Sequence, residues 1–162
     1  MHRLVGPLLV LGILLTASQA GAIHFGAQLV YGDDSDIGLG ARVEIDTPEL
    51  LERTRIVTDF NWYFPDDTPF ADLTFWEINL NWLHRVGVDG GGGSPSYYLG
   101  GGLNVAFAGF EFEDGSDESE KDLGVNLLGG LAFPLGPLTG IGEVRITIAG
   151  AEQYNLGIGL LY

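Results

Sequence analysis

The last ten residues alternate strictly: Tyr154, Leu156, Ile158, Leu160 and Tyr162 fall on one side of an extended chain, and Gln153, Asn155, Gly157, Gly159 and Leu161 on the other. A repeat of two is the side-chain period of a β-strand. Apolar residues in a terminal strand normally turn toward a packed interior, but here the opposite face is mostly glycine and amides. The arrangement suits a strand whose greasy side meets lipid.

Seven further segments show the same division, giving strands expected at about 23–31, 36–46, 54–64, 73–85, 96–109, 121–133, 138–149 and 152–162. Each is near the ~9–11 residues of a tilted membrane strand, or slightly longer. In the second, Ile37, Leu39, Ala41, Val43 and Ile45 oppose Gly38, Gly40, Arg42, Glu44 and Asp46. In the fourth, Trp76, Ile78, Leu80 and Trp82 oppose Glu77, Asn79 and Asn81. All seven prolines fall outside the alternating segments, as expected because proline cannot donate to a ladder.

The N-terminus stands apart. Met1-His2-Arg3 precedes an apolar run from Leu4 to Leu15 and then small residues, the pattern of a secretory signal cleaved after Ala20 or Ala22. Residues 1–22 are thus assigned to the signal and 23–162 to one barrel domain. No later segment offers the ~20 apolar residues of a membrane helix, so any membrane span is made of strands. The chain has no cysteine, which excludes a disulfide scaffold and a thiolate metal site. Its net charge of −15 argues against nucleic-acid binding.

Eight amphipathic strands also build soluble barrels with apolar interiors. An eight-stranded barrel, however, encloses only side chains or one small ligand, too little for every Trp, Phe and Leu of the apolar faces. Its outside would then carry Gly and Asn with few Lys, a poor soluble surface. The expected fold is all-β: an eight-stranded antiparallel up-and-down transmembrane β-barrel.

With the N-terminus on the periplasmic side, aromatic residues fall into two belts. Tyr31, Trp62, Phe64, Trp76, Phe107 and Tyr154 lie toward the outer ends, and Phe25, Trp82, Tyr97, Phe133 and Tyr162 toward the inner ends. Outer connections are Gly32 to Ser35, Pro65 to Asp72, Phe110 to Glu120 and Gly150-Ala151. Inner ones are Thr47 to Arg53, Val88 to Ser96 and Pro134 to Pro137. Thr47-Pro48-Glu49 has the residues to start one helical turn, and the glycine run at 90–93 reads as a flexible turn.

Inward-facing charges are Arg42, Glu44, Asp46, Arg55, Asp59, Glu77, Glu143 and Arg145. Hairpin counting sets Arg42 near Asp59, Glu44 near Arg55, and Asp59 opposite Glu77. Two facing carboxylates need a cation. Arg42, helped by Arg145 across the barrel, is expected to supply it and leave a lumen plugged by ion pairs. Glu111 to Asp122 is acidic but lacks the ligand spacing of a calcium loop, so it reads as solvated loop and no metal site is assigned. His84 shares the inner end with Ser94 and Ser96, yet nothing fixes a triad. No catalytic residue and no cofactor are assigned.

The signal, the eight alternating strands and the terminal QYNLGIGLLY together resemble the small eight-stranded outer-membrane barrels of Gram-negative bacteria, the opacity-protein and OmpX-like superfamily. Ending on Tyr162 in place of the commoner Phe is a mild departure. The resemblance implies an integral outer-membrane location. It also implies that Tyr154, Leu156, Ile158, Leu160 and Tyr162 form the signal read by the barrel-assembly machinery. Outer-membrane lipids and lipopolysaccharide are the expected surroundings of a monomer, and no extracellular partner is identified. The expected role is non-enzymatic, in envelope structure or adhesin-like surface interaction; a lipid-modifying enzyme and a narrow channel are the alternatives.

Overall fold

The structure, a computed structural model, describes residues 22–47, 52–66, 71–86, 94–112, 116–150 and 152–162. It consists of β1 (Ile23–Gly32), β2 (Asp36–Asp46), β3 (Thr54–Tyr63), β4 (Ala71–Val86), β5 (Ser96–Phe112), β6 (Asp117–Leu135), β7 (Leu138–Ile148) and β8 (Gln153–Leu161). Each strand pairs antiparallel with its neighbours in sequence, and β8 returns to β1 to close the barrel. At the seam, Phe25 and Tyr162 exchange backbone hydrogen bonds of 3.0 and 2.8 Å, so β1 begins and β8 ends at the same end of the cylinder. Closure leaves no strand edge along the seam, which an open sheet would expose.

The two faces of the wall differ sharply. Leu103 is 61% and Ile158 64% exposed, whereas Asn79 and Asn126 on the other face are completely buried. A soluble barrel would show the reverse. The apolar residues form an outer belt, and amides and charges fill the interior, the division a bilayer imposes on a closed sheet.

The strand assignments need three amendments. First, β4, β5 and β6 run farther out than their alternation suggested, so the acidic stretch is partly strand: Phe110 pairs with Glu118 and Glu111 with Asp117. Lys121 lies over the Phe107 ring at 5.2 Å, and Phe110 and Phe112 favour extended chain, which together carry the ladder beyond the belt. Second, Pro134 lies inside β6, opposite Thr139. It sits one residue pair from the hairpin end, where a missing donor costs little. Third, the connection there is only Gly136-Pro137; Gly136 has φ +65°, the left-handed conformation required at the first central position of a type II′ hairpin.

The proposed signal up to Gly21, Pro48 and Glu49 of the suggested helical turn, the glycine run at 90–93, residues 113–115 of the acidic stretch and Ala151 lie outside the described residues. Ala22 is described, and its carbonyl accepts a 3.1 Å hydrogen bond from Asp46 N.

Candidate functional site

Residues of inward parity on six of the eight strands converge in the lumen on two charge clusters, and the amide network joins the other two strands to them through Asn126 and Gln28. In the first, Arg145 on β7 crosses the barrel to two carboxylates: Nη1 lies 3.1 Å from Asp59 on β3, and Nη2 lies 2.6 Å from Glu77 on β4. All three side chains are essentially inaccessible to solvent. One guanidinium facing two carboxylates leaves an excess negative charge, and amides disperse it. Asn61 and Asn79 each donate to both carboxylates, at 2.8–3.1 Å, and Asn104 donates to Glu77 Oε2 at 2.8 Å. The Tyr63 hydroxyl meets Glu77 Oε1 and Asn155 Oδ1, each at 2.9 Å, tying β3 to β8 as well.

The second cluster centres on Arg42. Its Nε donates to Glu44 at 2.9 Å and its Nη1 crosses to Glu143 on β7 at 3.0 Å. Tyr98 donates to the same Glu143 oxygen at 3.0 Å. Arg55 completes the group, reaching Glu44 at 2.7 Å and Asp46 at 2.5 Å. Bonds between distant strands brace the cylinder across its width, while the backbone ladder braces it only around the wall.

Three expectations change here. Asp59 stands opposite Asn79, and Glu77 opposite Asn61, so the register differs by two residues from the one counted from sequence. The cation between Asp59 and Glu77 is Arg145 and not Arg42, which pairs instead with Glu44 and Glu143. Arg42 does sit beside Asp59 in the ladder, but its head group turns to the other two carboxylates. Nor is the lumen wholly polar. Val57, Leu83, Tyr98 and Leu128 form a buried apolar layer with Ala132 packed against it.

Sequence reasoning assigned the charges but gave no part in their network to the neutral partners Tyr63, Tyr98, Asn61, Asn79, Asn104, Asn126 and Asn155. Asn126 donates to Asn79 at 2.7 Å and to Asn81 at 2.9 Å, and accepts from Thr147 at 2.9 Å, continuing the amide network round to β6 and β7. Their shared inward parity was the available signal. Glycines make the room: a Cβ on Gly40 would collide with the Asn61 side chain, and one on Gly130 would stand 2.5 Å from the Tyr98 ring. Arg42 Nη2 and Asp59 Oδ2 are buried and meet no protein partner among the described residues, the kind of groups that internal water satisfies.

On the outer wall, Trp62 pairs with Trp76 and Trp76 with Phe107, the latter two rings stacked at 3.9 Å. Tyr31, Phe64 and Tyr154 are exposed, as are Trp82 and Tyr97, and Phe133 lies against Gly140. Leu156, Ile158, Leu160 and Tyr162 likewise face outward on β8 and just past its end. His84 shares the outward parity of Trp82, whereas Ser96 lines the inside of the barrel mouth, so the wall separates these two members of any hydrolase triad.

No protein-family model matches the chain, and no curated protein matches it in sequence. Solved structures do. The N-terminal β-barrel domain of Pseudomonas aeruginosa OprF matches with a TM-score of 0.66 at 14% identity, over 88% of this chain and 98% of that one. Neisserial surface protein A matches at 0.60 and 16% identity, over 86% and 94%. Ail, the attachment invasion locus protein of Yersinia pestis, matches at 0.55 and 14% identity, over 88% and 99%. The fold of this chain is thus that of small eight-stranded outer-membrane barrels.

Proposed function

We propose that this protein is a non-enzymatic, monomeric, integral outer-membrane barrel with a lumen plugged by ion pairs, serving envelope structure or adhesin-like contact at the cell surface. The observation that carries the proposal is the cross-barrel placement of Arg145 and Arg42, each bound to carboxylates on two elements and each almost fully buried. Moving ions through such a lumen would require unpairing charges in a low-dielectric interior, which costs several kcal/mol per ion. Buried ion pairs more often hold a structure together than work on a substrate, and the His84 and Ser96 placements supply no nucleophile and base.

The interaction surface lies at the end away from both strand termini, where the hairpins carry mostly carboxylates with Lys121 the one cation. Exposed hairpins on a rigid scaffold are where recognition usually resides. Lipopolysaccharide phosphates would share divalent cations with them, and β8 would present Tyr154 to Tyr162 to the assembly machinery. Planar-bilayer recording from the refolded protein tests the plug: the expected record shows no steady conductance, and a large, stable one would refute it. Unchanged lipid A mass profiles on deletion of the gene are expected of a non-enzyme, and an altered profile would point to lipid modification.

A further inference from the structure

The end of the barrel where β1 begins and β8 ends holds a cavity of ≈ 200 Å³ lined by arginines, whereas the hollows at the other end are lined by carboxylates such as Glu111, Glu118 and Glu120. Its walls include Arg53, Arg55 and Arg85 with Thr54 and Ser96, and its floor is Leu83, Tyr98, Ala132 and Ile141. Of the six Lys and Arg residues outside the first 22, three therefore gather at this one mouth. Glu44 and Asp46 also line it, but Arg55 binds both and Arg42 binds Glu44 again. Arg85, in contrast, has no carboxylate partner among the described residues, and its backbone N–H donates to Arg53 O at 2.9 Å, which sets the two arginines side by side at the rim.

We infer that this mouth is a binding site for a small organic oxyanion with one apolar end, entering from the periplasmic side. Guanidinium groups bind carboxylate and phosphate oxygens in two-pronged, charge-assisted fashion, and the flanking Ser96 hydroxyl adds a donor. The floor below is the same apolar layer that interrupts the polar lumen, so a short hydrocarbon or aromatic group follows the head group in without displacing a charge. The volume is below that of pockets that enclose drug-sized ligands. It suits a small acid, or the acidic terminus of a larger molecule.

This site is independent of the plug and survives its failure. The test uses the refolded chain in detergent micelles, with benzoate as probe and side-chain resonances of Leu83 and Ile141 as reporters. Saturable shifts are expected, weaker at high salt because the attraction is electrostatic. Arg85→Gln should lower the affinity about tenfold or more, the worth of one charge-assisted hydrogen bond. Lys121→Gln, at the opposite end, should leave it unchanged. Heat-dependent migration on a gel establishes that each variant is folded, and Arg85→Ala substitutes for the first should it not fold. Absence of saturable shifts in the wild type, or equal affinity in a folded variant at the rim, overturns the inference.

Discussion

Arg145 on β7 and Glu77 on β4 lie on strands separated by β5 and β6 on one path round the barrel and by four strands on the other, yet their side chains meet at 2.6 Å inside it. The contact spans 68 residues of sequence. It is a chord across the cylinder, so it resists flattening in a way that ladder hydrogen bonds do not.

Removing that guanidinium should be among the most damaging single changes. Arg145→Leu leaves Asp59 and Glu77 buried together with no cation between them, a situation that costs about 3–5 kcal/mol. The triple change Arg145→Leu, Asp59→Asn, Glu77→Gln removes the stranded charges and should recover a large part of the loss. Urea titration of the protein in lipid vesicles, followed by tryptophan fluorescence, measures both.

The two carboxylates are predicted to differ. Glu77 Oε1 accepts from Asn61, Tyr63, Asn79 and Arg145, and Oε2 from Asn104, so an amide there must set a donor against a donor. Glu77→Gln should cost about 1–3 kcal/mol. Asp59 Oδ2 has no protein partner, so Asp59→Asn can place its NH2 there and keep Oδ1 as acceptor. That change also cancels the excess negative charge and should lie within about 1 kcal/mol of wild type. Equal losses in the same titration would contradict the asymmetry.

The orientation of the wall gives a depth-dependent prediction. Leu80 is outward-facing and pairs with Thr58 and Leu103 near the middle of β3, whereas Tyr97 lies at the start of β5. Leu80→Arg should cost about 2–4 kcal/mol and Tyr97→Arg only about 0–1 kcal/mol, because a charge near the interface reaches water. Similar costs at both sites would mean that the apolar belt does not face hydrocarbon.

How much of this was legible in the sequence depends on the kind of information. Parity needs only the next residue but one, so the outward set from Leu39 to Ile158 and the inward set from Arg42 to Arg145 follow directly from alternation. Partner choice was less accessible. Counting from the β3–β4 connection misplaced Asp59 and Glu77 by two residues, because the length of a connection does not give the register of its strands. Which arginine serves which carboxylate depends on barrel closure, which brings β7 over β3 and β4. The inward Leu83 and Leu128 escaped notice because they sit beside outward Trp82 and Leu127 and blur the alternation.

Gly130 and Tyr98 show how closure and composition meet at one point. They are cross-strand partners on β6 and β5, and the missing Cβ lets the Tyr98 ring lie against the wall, where its hydroxyl reaches Glu143 at 3.0 Å. An aromatic ring covering a glycine is a known device for stabilising a curved sheet. Any side chain at 130 must push the ring into a lumen already occupied by Arg42 and Leu128, so Gly130→Val should cost about 1–3 kcal/mol by overpacking. Tyr98→Phe keeps the ring and loses only the hydroxyl, and should cost about 1 kcal/mol, or up to 3 kcal/mol if the bond to the charged acceptor is fully lost. Near-ultraviolet circular dichroism separates the two: Gly130→Val should alter the tyrosine environment strongly, and a spectrum unchanged from wild type would show that the ring does not rest on this glycine.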